Sequence, residues 1–323
     1  MISFVSKIID MKIFSAPLQG YTEAAWRNAH EKVFGNVDAY FAPFMRMEKG
    51  TDNKLPIRNK DLRDIDPQEN SVACMVPQVL ASLPEEFMTL VDIIVEKGYK
   101  WIDINFGCPF PMISKRHKGC GILPYPQEVQ EIMNTTKRYP DIDFSVKMRL
   151  GAESNDEWRE ILPILNDTKL KMVTIHPRTG KQQYKGDVDM NSFDAFANEC
   201  KHKLVYNGNI TEASQIGFIK EKYPSVYGVM IGRGLLGQPY LTIEYNHGKL
   251  DEDSQRRMIL QMHDEIYNVY AQRLQGDSQL LGKMHAFWEY MLPYIDKKIG
   301  KELKKSGSIA KYQQALNNYK LQY

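Results

Sequence analysis

Eight short apolar runs, most of them closed by glycine, proline or asparagine and mostly separated by segments of helical period, constrain this 323-residue chain more than any other feature. The runs cover residues 13–17, 39–45, 72–79, 101–106, 144–149, 172–176, 204–207 and 228–232. Strands spaced this way are joined by helical crossovers and therefore lie parallel. Thr22 reads as the cap of a helix running to Phe34. After Pro84, the residues Phe87, Leu90, Val91, Ile94 and Val95 recur at helical spacing until Gly98. Residues 127–139 and 155–166 read as further helices, whereas 46–70 is polar without a clear period, and Pro77 predicts a bulge or an end inside the third run. The expected fold is an α/β (β/α)8 TIM barrel over residues 1–245. A doubly wound sheet is the alternative, but no Gly-x-Gly-x-x-Gly follows the first run.

From Asp251 onward only helical periods remain, with Met258, Ile259, Met262 and Ile266 on one segment and Leu280, Leu281, Met284 and Phe287 on the next. A small C-terminal all-helical domain over 246–323 follows, with Lys297, Lys298, Lys301, Lys304 and Lys305 forming a basic face. The net charge is only +2, so any nucleic-acid partner must be recognised through such local clustering. Four cysteines are too few for a disulfide framework in a chain of this length, which points to a reducing cytoplasm. No apolar run reaches membrane-spanning length. Residues 1–10 are apolar but broken by Lys7 and Asp10, with no cleavage site, so no signal peptide is expected. The chain is expected to act as a monomer, away from membranes.

In a parallel barrel the chemistry sits at the carboxyl ends of the strands. Those ends carry Pro17, Leu18, Gln78, Asn105 with Cys108, Lys147 with Arg149, His176 with Arg178, Asn207-Gly208-Asn209 and Gly232-Arg233-Gly234. The last two turns follow strands seven and eight, where glycine admits backbone N–H groups to a phosphate and arginine adds charge. Cations at Lys147 and His176, with Gln78 beside them, suit the polar edge of a flavin better than a sugar phosphate. A lone lysine at a strand end can equally make a satisfied ion pair. Cys108, between Gly107 and Pro109, is either a reactive thiol or simple packing. A metal site through His117 and Cys120 is the weaker alternative, because no Cys-x-x-Cys pair is present.

Four ordered motifs, Asn105-Phe106-Gly107-Cys108-Pro109, Val146-Lys147-Met148-Arg149-Leu150-Gly151, His176-Pro177-Arg178-Thr179-Gly180 through Gly186, and Met230-Ile231-Gly232-Arg233-Gly234, resemble the tRNA-dihydrouridine synthases. That resemblance implies an FMN-dependent barrel with a helical tRNA-binding domain, reducing the C5=C6 bond of D-loop uridine in tRNA with NADPH. It implies Pro17 and Leu18 along the flavin ring and Gln78, Lys147 and His176 at its polar edge. Asn207, Gly208, Asn209, Gly232 and Arg233 would hold the ribityl phosphate. Asn105, Lys147 and Arg178 would meet the uracil, and Cys108 would be the proton donor; no metal is implied. Asn209 stands where the family often has aspartate, and Pro177 where glycine is common. An FMN barrel acting on a small enone or a dihydroorotate-like substrate is the alternative function.

Overall fold

The computed structural model describes residues 11–48 and 57–321; the leader-peptide expectation for 1–10 and part of the 46–70 stretch lie outside them. The strands are β1 (Lys12–Ser15), β2 (Ala39–Phe41), β3 (Met75–Val76), β4 (Gln78–Val79), β5 (Trp101–Phe106), β6 (Asp143–Gly151), β7 (Met172–Thr179), β8 (Leu204–Tyr206) and β9 (Gly228–Ile231). They pair in parallel in the order β3-β2-β1-β9-β8-β7-β6-β5-β4. β3 and β4 are two halves of the third predicted strand. Pro77 has no N–H to give a ladder, so pairing switches there. Met75 pairs back to Tyr40, and Gln78 pairs forward to Asp103. The Pro77 carbonyl still accepts from Asp103 N–H at 2.9 Å, which carries the barrel across the break.

Parallel barrel strands bury both faces. On β5, Ile102, Ile104 and Phe106 face the surrounding helices, while Trp101 closes the barrel floor with Phe14 and Phe41. Those three rings meet edge to face at 5.4–6.4 Å. Above this apolar plug the inward side chains become polar.

Two local expectations are corrected. Thr22 caps no helix: the helix is Ala24–Val33 with Glu23 at its N-cap. The Thr22 Oγ1 instead accepts from Leu18 N–H at 2.8 Å and stitches the turn after β1. The stretch without period contains a short helix, Asn59–Asp64, and a single turn, Pro67–Glu69. Fully buried Arg27 anchors both, donating to the Asp64 carboxylate and to Asn70 Oδ1. A six-residue helix held by one distant guanidinium leaves no periodic trace.

The helix Leu241–His247 ends at Gly248, and four longer helices follow: Glu252–Arg273, Asp277–Glu289, Lys297–Lys305 and Ile309–Lys320. They are docked on the barrel. Tyr270 Oη donates to Glu23 at 2.9 Å and Tyr21 Oη to Glu289 at 2.7 Å. On Lys297–Lys305, Ile299, Gly300 and Leu303 are buried and all five lysines are exposed. Among the described residues, no helix is long and apolar enough to cross a membrane.

Candidate active site

Inward positions on a strand recur every second residue, so β5 places Trp101, Asp103 and Asn105 in successive layers. The indole N–H of Trp101 donates to Ser145 Oγ at 2.9 Å, and the Ser145 hydroxyl donates to Asp103 Oδ1 at 2.6 Å. Gln78 Nε2 donates to Asp103 Oδ2 at 2.6 Å, and its Oε1 accepts from Asn105 Nδ2 at 2.7 Å. Asn105 Oδ1 then accepts the backbone N–H groups of Gly107 (3.0 Å) and Cys108 (2.9 Å). Burial raises the Asp103 carboxyl to about 7, against the opposing pull of Ser145, Gln78 and Lys147.

Cys108 lies just past this relay, 6 % exposed, on the wall of a cavity of about 510 Å³ at the carboxyl ends of the strands. Burial pushes its thiol above the usual value, outweighing the Phe110 backbone and the cations Arg149, Arg46 and Lys147. The sulfur is therefore protonated at neutral pH. Lys147, half-buried on the same wall, makes no hydrogen bond or ion pair among the described residues. Burial and Arg149 lower its ammonium from 10.5 to about 8. An unpartnered ammonium facing a cavity calls for an anionic or carbonyl ligand.

The cationic role given to His176 needs correction. Burial, with Arg149, Lys147, Arg178 and Arg233 around it, holds the ring well below the ordinary histidine value and neutral. Arg178 Nη1 lies 3.1 Å from His176 Nε2. A guanidinium can only donate, so Nε2 is the acceptor and Nδ1 carries the proton. His176 thus offers a neutral N–H donor.

The turns after β8 and β9 complete the cavity. Asn207 Nδ2 donates to the Met230 carbonyl at 2.7 Å, tying the two strand ends together. Asn209 takes the left-handed backbone that asparagine tolerates, with φ of 39°. A Cβ on Gly234 would overlap the Ile210 carbonyl oxygen, so only glycine lets these turns approach.

Of the residues singled out from sequence, Pro17, Leu18, Asn105, Cys108, Lys147, His176, Asn207, Gly208, Asn209, Gly232 and Arg233 line this one cavity. Gln78 and Arg178 stand behind its wall. Gln78 is fully buried between Asp103 and Asn105. Arg178, 1 % exposed, is held by His176, the Gly186 carbonyl and Asn209 Oδ1.

Several other lining residues receive no role from sequence position alone. Arg149 donates to the carbonyls of Gly107, Thr179 and Gln183 at 2.7–2.9 Å, joining three loops; its place two residues after Lys147 on one strand is the available signal. Tyr184 has the guanidinium of Arg233 4.3 Å from its ring centre and that of Arg149 at 5.4 Å. Tyr290 and Tyr294 bring the helical region to the rim, where Tyr290 meets Tyr21 from the turn after β1. Helical spacing alone does not separate Tyr290 and Tyr294 from core positions. Among the described residues no group of three or more His, Cys, Asp or Glu is placed to hold a metal; His117 pairs with Glu128 at 2.8 Å.

The cavity size is that of a cofactor site. An unpartnered ammonium, a neutral N–H donor, a protonated thiol and an Arg-containing glycine turn match a planar carbonyl-bearing ring that carries a phosphate.

Comparison with known proteins gives the same direction. The chain is 27 % identical over 273 residues to tRNA-dihydrouridine synthase B of Pasteurella multocida (strain Pm70), covering 84 % of this chain and 79 % of the relative. It is 27 % identical over 263 residues to the probable tRNA-dihydrouridine synthase of Staphylococcus aureus (strain COL), covering 79 % and 77 %. Similar solved folds include histamine dehydrogenase from Rhizobium sp. 4-9 (TM-score 0.55, 10 % identity, 79 % of this chain and 49 % of that one). Morphinone reductase is another (TM-score 0.50, 9 % identity, 76 % and 88 %). At such identities these structures speak for the barrel alone. The family model for dihydrouridine synthase (Dus) matches residues 14–318, nearly the whole chain, and the chain belongs to the dihydrouridine synthase family.

Proposed function

We propose that this protein is a tRNA-dihydrouridine synthase, an oxidoreductase that reduces the C5=C6 bond of D-loop uridine in tRNA to 5,6-dihydrouridine. The observation that carries the reading is a buried, protonated thiol on the same cavity wall as an unpartnered ammonium, in a chain whose family match spans the whole barrel. The family's cofactor is a flavin, and the mononucleotide FMN suits a cavity that ends in one phosphate-type turn pair. Lys147 and the Nδ1–H of His176 would serve the polar edge of its ring, Pro17 and Leu18 its face, and Asn207, Gly208, Asn209, Gly232 and Arg233 its ribityl phosphate. Gln78 supports that edge from behind.

When bound, FMN recharged by NADPH would supply a hydride for C6 of the uracil. C5 then gathers negative charge, and Cys108 Sγ–H donates its proton there. The thiolate left behind is stabilised by Arg149 and Lys147 and regains a proton from water. Asn105 and Lys147 orient the uracil carbonyls, and Arg178 acts through His176 and Asn209. Extruding a stacked uridine costs a few kcal/mol, offset by contacts elsewhere on the RNA. The exposed lysines of Lys297–Lys305 supply phosphate contacts, so 1–245 does the chemistry and 246–323 seats the tRNA. The enzyme then works as a monomer in the compartment that holds tRNA, the cytoplasm.

Mapping dihydrouridine in tRNA from a strain lacking the gene tests the assignment: loss at defined D-loop positions is expected. In purified protein, Cys108→Ala should keep a flavin that NADPH reduces but make no dihydrouridine. Turnover of a small enone with tRNA untouched would overturn the reading.

A further inference from the structure

The relay from Asp103 to Cys108 has a direction. Asp103 Oδ2 accepts from Gln78, Gln78 Oε1 accepts from Asn105, and Asn105 Oδ1 accepts the two backbone N–H groups that hold the Cys108 turn. Each amide is usable in only one of its two orientations. If Gln78 turned over, its NH2 would face the NH2 of Asn105. If Asn105 turned over as well, its NH2 would face the N–H groups of Gly107 and Cys108. Asp103 is fully buried, Gln78 is fully buried and Asn105 is 8 % exposed, so no water corrects a mismatch cheaply.

We propose that Asp103 is a positioning residue: its side chain sets the direction of a buried amide relay through Gln78 and Asn105 that holds the Cys108 thiol at the cavity wall. Asp103 and Gln78 act through Asn105 rather than on the substrate. At the lower end Ser145 Oγ accepts the Trp101 indole N–H and donates its own hydrogen to Asp103 Oδ1. Asp103 therefore meets a donor on each oxygen, and a carboxylate is the side chain that accepts from both. Burial of that carboxylate is unfavourable, and the donors Ser145 and Gln78 offset part of the cost.

The relay predicts sign-reversing rescue. With Asp103→Asn, the relay keeps its order only if the new NH2 faces Ser145, whose hydroxyl then loses its acceptor at position 103; otherwise a donor faces a donor at Gln78–Asn105 or at the Cys108 turn. With Gln78→Glu, an acceptor faces the Asp103 carboxylate. In the double variant every donor again meets an acceptor. The amide introduced at position 103 accepts from Ser145 through its oxygen and donates through its nitrogen to the carboxylate introduced at position 78. The other oxygen of that new carboxylate accepts from Asn105.

The catalytic consequence rests on the reading of Cys108 as proton donor, but the position of the sulfur is measurable whatever the reaction. The rate of Cys108 alkylation by iodoacetamide in the full-length protein, read by peptide mass spectrometry, reports it. Asp103→Asn should raise that rate about tenfold or more, the local opening expected from one unmatched buried polar pair. It should also lower kcat while leaving KM for tRNA unchanged. The Asp103→Asn/Gln78→Glu protein should return to within about threefold of wild type in the alkylation rate, which two packing defects added together would not do. Ser145→Ala leaves the relay above Asp103 intact and should keep Cys108 protected. Unchanged alkylation in Asp103→Asn, a double variant no better than the single, or an exposed Cys108 in Ser145→Ala would each overturn the proposal. If Cys108→Ala kept full turnover while the alkylation pattern held, the proton-donor reading would fail and the relay would stand.

Discussion

Gly119 is the position where a single methyl group should disable the site without touching any ligand. Its φ is +60°, and a Cβ there would lie 2.6 Å from the Cys108 carbonyl oxygen, 2.7 Å from the Cys108 Cβ and 2.9 Å from its nitrogen. Two of these three atoms are backbone, so rotamer change relieves nothing. Left-handed backbone costs a non-glycine residue about 1–2 kcal/mol, and overpacking about 1–3 kcal/mol; Gly119→Ala should thus destabilise the protein by about 2–5 kcal/mol in total. Reaching ordinary contact requires Cys108 to move by about 0.8 Å, and misplacement of about 1 Å costs on the order of 100-fold in rate. Single-turnover reduction of tRNA uridine by pre-reduced enzyme should therefore slow by some tens of fold, with KM for tRNA unchanged. The matched control is Gly217→Ala, in the helix Ala213–Lys222, where a Cβ meets nothing within 4 Å. That change should stabilise slightly, by about 0.5–1 kcal/mol, and leave the rate alone. A folded Gly119→Ala enzyme with wild-type single-turnover rate would refute the argument that the turn across from Gly119 places the thiol.

Lys147 gives a pH signature. Its folded-state value is lowered to about 8 from 10.5, so the unfolded chain holds this proton more tightly than the ligand-free folded protein. The ligand-free protein should therefore gain stability from this group as pH rises from about 8 to 10.5, by the sign of the linkage. Thermal melts against pH should show that gain in wild type and lose it in Lys147→Met; flavin affinity should fall above pH 8 in wild type alone. Replacing Lys297, Lys298, Lys301, Lys304 and Lys305 by glutamine should raise KM for tRNA. The logarithmic salt dependence should fall by roughly one for each phosphate no longer neutralised, with flavin absorbance intact. Unchanged tRNA affinity would make these lysines a solvated face.

The strand ends were legible because β-barrel geometry turns sequence position into place. A residue closing a buried run before a glycine or asparagine turn must reach the mouth, and Asn105, Cys108, Lys147, His176 and Arg233 all do. Pro77 announced a break for an equally local reason, the missing N–H. Gln78 and Arg178 show the limit of that logic. Both sit at the expected height, yet β5 supplies Asp103 and Asn105 to Gln78, and the turn after β8 supplies Asn209 to Arg178, engaging their polar groups behind the wall.

The amino-acid order by itself determined the alternation that makes a parallel barrel, the set of polar residues at its carboxyl rim and the basic face on the helix Lys297–Lys305. These follow from periodicity and from bonds made by near neighbours in the chain. The tertiary structure alone decided protonation and partnership. His176 is neutral because burial desolvates its ring and four cations, carried by β6, β7 and the turn after β9, add to that effect. Cys108 is a thiol because burial outweighs the cations beside it. Tyr290 and Tyr294 reach the rim because a segment some 270 residues from β1 folds back onto the turn after it, with Glu289 accepting from Tyr21. Desolvation and long-range electrostatics depend on the whole surrounding volume, and that volume is assembled from residues far apart in sequence.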